Sequence, residues 1–216
     1  GGMGGSGGTG AGGAAVCGSA NRVLPDGLVE LGWDDGGGSS NVREQTWQIT
    51  VNNHDYPLAE GPLHESVRFE IDRPAKIHGF ALEWAPLPDG TAPAAELVAG
   101  LYPDFGHNGF DFWEKDPLFT GSRCAEDVAA AAAAGELLPY VFEEPIVVAT
   151  PGLVYVAHAM VGPEDPVLMF DGSSTGDGTC ALWDDCHSAM NLPEAEKSAF
   201  YNGVSFPFQN DYRVRL

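Results

Sequence analysis

Acidic and amide side chains crowd three short stretches of this chain, and they are the residues best suited to do chemistry. In "LYPDFGHNGFDFW", residues 101–113, Asp104, Asn108 and Asp111 are separated by Gly106 and Gly109. Calcium takes about six to eight oxygens from carboxylates, amides and main-chain carbonyls, and glycine lets a backbone curl around it. The spacing fits no standard calcium loop. The same residues also suit a long corner whose Asx side chains bond their own backbone. A second group, Asp171, Asp177, Asp184 and Asp185, lies in "DGSSTGDG" and "WDD". Crowded carboxylates repel one another unless a cation sits between them. A solvated loop is the first reading of these residues, and calcium is the cofactor they suit if they hold one. His187, beside Asp184 and Asp185, is the histidine nearest this group in sequence.

Nucleophile signals are weak. "GSSTG" at 172–176 matches Gly-x-Ser-x-Gly, but "DGTCALW" supplies no helix after it, so the strand–turn–helix context is missing. No catalytic residue is assigned. Trp84, Trp113 and Trp183 are the aromatics expected to meet a ligand, if the ligand is a glycan.

The four cysteines, Cys17, Cys124, Cys180 and Cys186, contain no Cys-x-x-Cys pair, which disfavours zinc. An even count in a Lys-poor, acidic chain suggests an oxidising compartment. Three pairings are open. Cys180 with Cys186 closes the short loop "CALWDDC", leaving Cys17 with Cys124; Cys124 with Cys186 is the main competitor.

Charge narrows the partners. The 216 residues carry a net charge of −21, from 31 acidic and 10 basic side chains. Such a surface repels nucleic-acid phosphates and anionic lipid heads. The most apolar window, "IVVATPGLVYVAHAMV", is broken by Pro151-Gly152 and is too short on either side to span a bilayer. No membrane insertion is expected.

The elements that would position these groups are mostly strands. Residues 1–15, "GGMGGSGGTGAGGAA", read as a flexible Gly-rich tether, and 16–216 as one domain. The chain opens at Gly1, which suggests a removed leader or a trimmed start. Period-two alternation then dominates. Val67, Phe69 and Ile71 alternate with Arg68, Glu70 and Asp72; His78, Phe80, Leu82 and Trp84 alternate with Ile77, Gly79, Ala81 and Glu83. "TWQITVN", "AELVAGLY", "YVFEE", "IVVAT", "LVYVAHAM", "VLMF", "VSFPF" and "YRVRL" supply further strands, separated by Gly, Pro and Asp turns. Two short helices are expected, at 125–134 before Gly135 and after Pro193. The pattern predicts an all-β fold, an antiparallel β-sandwich of jelly-roll type. His78 and His158 stand at strand positions where a hydrogen-bonded structural role is expected.

"ESVRFEIDRPAKIHGFALEW", "ELVAGLYPD" and "FEEPIVVATPGLVYVAHAM" together resemble secreted bacterial β-sandwich modules of the pre-peptidase C-terminal type and similar carbohydrate-binding-like jelly rolls. The Gly-rich head resembles the spacer behind a bacterial lipoprotein anchor. The resemblance implies an accessory, adhesive or binding domain and supplies no catalytic residue. The expected function is thus structural or adhesive work at the cell surface, with this chain itself or another surface protein as partner. A glycan-binding module is the alternative. A hydrolase with dispersed carboxylates is the second, and needs two of them about 5–9.5 Å apart in a cleft.

Overall fold

The computed structural model describes residues 24–33, 40–41, 48–51, 54–57, 63–87, 97–104, 116–160, 165–170, 187–191 and 212–216. The described elements run β1 (Ser40–Asn41), β2 (Gln48–Val51), β3 (His54–Pro57), β4 (Leu63–Ile71), β5 (Ala75–Glu83), β6 (Leu97–Pro103), β7 (Phe119–Arg123), α1 (Ala125–Ala134), β8 (Leu137–Val148), β9 (Gly152–Met160), β10 (Met169–Phe170), β11 (Ser188–Asn191) and β12 (Val214–Arg215). All their strand pairs are antiparallel. The fold is all-β with one short helix among the described residues.

Two sheets matter for function. One has the order β11-β4-β9-β6-β7 and the other β12-β5-β8. Alternation dictates which side of β4 is apolar: Val67, Phe69 and Ile71 are buried, as the spacing predicts. They share one core with Ile77, Phe80 and Leu82 of β5, Val154 and Val156 of β9, and Val214 of β12. Each such side chain contributes about 1.5–3 kcal/mol by leaving water. In the central strand β9, residues 154–158 are buried on both sides.

The predicted faces of β5 need correction. Ile77 pairs with Ile146, but Gly79 pairs with Val141, so the four residues 142–145 of β8 lie against His78 alone. This bulge lets both Ile77 and Phe80 turn inward, while His78 is only half-buried. It also explains why "YVFEE" and "IVVAT", expected as two strands, are one: the bulge holds exposed Glu143 and Glu144 and accommodates Pro145. Gly79 is required where the chains close up. A Cβ there would sit 2.5 Å from the Tyr140 carbonyl oxygen.

Helix α1 spans the predicted residues. Gly135 ends it at φ 66°, where Glu136 N–H donates to Ala131 O at 3.0 Å and Gly135 N–H to Ala132 O at 3.3 Å. Asn191 closes β11; the rest of the second expected helix, the strand "VSFPF" and the tether 1–15 lie outside the described residues.

Candidate functional site

Two arrangements of side chains stand out, one sealed inside and one at the surface. The inner one begins with Glu65, which has the same parity on β4 as Val67, Phe69 and Ile71 and therefore points inward. Its ladder partner on β9 is His158. Glu65 is 0% exposed and His158 2%. A buried carboxylate is costly unless it is hydrogen-bonded. Glu65 Oε2 accepts the Leu168 N–H at 2.8 Å. The two ring nitrogens of His158 each face a carbonyl: Nε2 lies 3.1 Å from Pro166 O and Nδ1 3.3 Å from Val98 O. A neutral imidazole donates from one nitrogen, and only the imidazolium donates from both.

Tyr212 completes the group. Burial pushes its hydroxyl well above the usual phenol range, and the neighbouring Glu65 carboxylate raises it further by charge and hydrogen bonding. The backbone N–H of Tyr212 donates to Ser188 Oγ at 3.0 Å, tying the segment before β12 to β11. Trp84 stands edge-on to His158, with ring centroids 4.5 Å apart. On β4, the His64 imidazole is held down to about 4 by burial first and by the His158 charge second. Carboxylate, imidazole and phenol could in principle move protons. Here all three are closed off from solvent, and the carboxylate and imidazole are occupied with backbone groups of Leu168 and Pro166, so the arrangement works as a clasp on the chain leading into β10.

The surface arrangement is built by residues 24–33, a strap across the β11 and β12 edges. Leu31 and Leu216 exchange two backbone hydrogen bonds, N–H to O at 2.9 and 3.0 Å, which adds the strap beside β12. The Glu30 carboxylate meets Arg215 at 2.9 Å. Trp33 donates its indole N–H to Arg68 O at 2.9 Å and lies flat on His187, centroids 3.8 Å apart with planes 2° from parallel. Between the strap and the β4–β5 side lies a mostly apolar cavity of about 640 Å³, walled by Leu28, Leu31, Ile71, Ile77, Phe80 and Leu216. Arg73, Lys76 and Arg215 also line it.

The predicted site residues distribute as follows. Trp84, expected as a ligand platform, is 0% exposed, and a glycan in solution cannot reach it. Asp104 is exposed at the end of β6, and its backbone N–H donates to Leu153 O at 3.1 Å. Asn108, Asp111, Asp171, Asp177, Asp184, Asp185, Trp113 and Trp183 lie outside the described residues, as do Cys17, Cys180 and Cys186. Cys124 is disulfide-bonded and precedes the first residue of α1. His187 is placed, but against Trp33. Among the described residues, no group of three or more His, Cys, Asp or Glu side chains could hold a metal ion. No described helix is long and apolar enough to cross a membrane.

Sequence reasoning passed over Glu65 and the strap. The signal for Glu65 was present, since a carboxylate two residues before Val67 shares its face. The strap "LPDGLVELGW" alternates poorly and leaves no such signal. Comparison with protein-family models, with curated proteins and with solved structures finds no match to this chain.

Proposed function

We propose that this chain is an extracellular surface domain that works by contact, through adhesion or assembly, and not by catalysis. The observation behind the proposal is an inversion of the usual use of residue types. The described groups best able to move protons, Glu65, His158 and Tyr212, are buried, and the first two are engaged with backbone. Large apolar side chains instead stand in solvent on edge elements: Val29 is 77% exposed on the strap and Val147 65% on β8. Exposed apolar groups beside sheet edges favour association. The disulfide at Cys124 supports an oxidising compartment. Calcium in the acidic loops remains part of the proposal on composition alone. The glycan alternative keeps Trp113 and Trp183 and loses Trp84.

The test is light scattering of the purified chain over a wide concentration range, with Val29→Glu and Val147→Glu as probes. Mass that rises with concentration in the parent and falls in either variant supports the reading. A monomer at every concentration that also fails to adhere to cells or glycan surfaces would end it.

A further inference from the structure

We propose that residues 24–33 form an exchangeable strand whose second seat is the β12 edge of another copy of this chain. This deepens the assembly reading above and rests on it. The strap is held mainly by main-chain pairing at a sheet edge, and that geometry does not depend on which molecule supplies the strand. Its anchors, the Leu31–Leu216 pair, Glu30 on Arg215 and Trp33 on Arg68 O and His187, would all re-form on an identical neighbour.

Charge selects this segment over other acidic stretches of the same chain. The strap carries Asp26 and Glu30 and no cation. The other walls of the cavity carry Arg73, Lys76 and Arg215 against Glu70 and Asp72. Three of the chain's ten basic residues thus gather at this seat in a molecule of net charge −21. The complementary pair, an acidic strand and a locally basic seat, exists in every copy.

The strap seated on its own molecule leaves apolar surface uncovered. Leu28 is 43% and Val29 77% exposed, and the cavity of about 640 Å³ beneath remains open. In an exchanged pair, two straps lie close to two seats, and these side chains gain a second apolar surface to meet.

The experiment uses the full chain. Leu31→Cys and Leu216→Cys sit opposite each other in a hydrogen-bonded antiparallel pair, close enough to be bridged by a disulfide. One preparation carries both substitutions. Two others carry one each and are mixed at high concentration before oxidation. The double variant is expected to cross-link within or between chains, and the mixture to give a covalent dimer containing one of each chain. A double variant that cross-links only within its chain, with no mixed dimer, overturns the exchange. If the parent nevertheless associates by light scattering, the assembly reading stands without this strand; if it stays monomeric, both fall. Should either cysteine variant misfold, benzoyl-phenylalanine at exposed Val29 serves instead. Photolysis with an isotope-labelled partner must then capture a labelled peptide of the β4–β5 or β12 region, and capture of unlabelled peptide alone overturns the proposal.

Discussion

Glu65 and His158 face each other across the β4–β9 ladder and grip one short run of backbone, the Leu168 N–H and the Pro166 carbonyl. The pair thereby fixes the run that leads into β10, next to the bridge between Trp84 and Leu168.

Removing the carboxylate should therefore cost far more than neutralising it. Glu65→Ala leaves the Leu168 N–H without its acceptor and opens a cavity in a dry site, and about 3 kcal/mol of stability should be lost. Glu65→Gln keeps an acceptor oxygen for Leu168 and should lose about 1 kcal/mol from that bond. Urea unfolding monitored by circular dichroism measures both. Equal losses would mean that the hydrogen bond to Leu168 is not what Glu65 supplies.

His64 should make the fold acid-sensitive. The folded protein keeps this ring neutral down to about pH 4, because burial and then the His158 charge oppose its protonation. The unfolded chain takes up the same proton near pH 6.5. Between these values the unfolded state binds more protons, so stability is full above about pH 6.5 and falls as the pH drops towards 4. The partly buried ring accounts for at most about 3 kcal/mol of that loss. His64→Gln should flatten this part of the profile. Melting temperatures of both proteins across the range provide the comparison, and parallel curves would remove His64 as the cause.

The indole of Trp33 is the strap's firmest side-chain anchor. Trp33→Ala should cost about 1–2 kcal/mol, less than a fully buried Trp, because the ring is 38% exposed. It should also speed proteolysis within 24–33. Trp33→Phe keeps a ring for His187 and gives up the bond to Arg68 O, so it should fall between the two. Cleavage rates unchanged in both variants would show that main-chain pairing alone secures the strap.

Two glycines give opposite forecasts. Gly79→Ala forces a Cβ to within 2.5 Å of Tyr140 O and 3.2 Å of Val141 Cα, and backbone cannot step aside as a side chain can. A loss of about 1–3 kcal/mol is expected from this overpacking. Gly152→Ala meets nothing within 4 Å and should be neutral or gain up to about 1 kcal/mol by narrowing the unfolded ensemble. Thermal denaturation of the two side by side tests whether close approach, and not glycine itself, governs β5–β8 pairing.

The order of side chains in the sequence carried some of this plainly. Val67, Phe69 and Ile71 announce β4 and its buried side, and 125–134 announces α1 together with its glycine stop. The structural role expected of His158 agrees with its two carbonyl contacts. Other features depend on distant partners. Nothing near Glu65 in sequence reveals that Leu168 will meet it, and nothing in "FEEP" shows that four residues will oppose one. Trp84 illustrates the limit of local reading: alternation placed it on a face, but only packing against His158 decided that the face was internal. The strap went unread because its stability comes from Leu216, at the far end of the chain.

That last pairing has a consequence for how the molecule is made. The β12 edge cannot be finished until residue 216 has left the ribosome, and Leu31, among the first described residues to emerge, must wait for it. Contacts between residues so distant in sequence close a large loop, so this edge should be among the last parts of the fold to form.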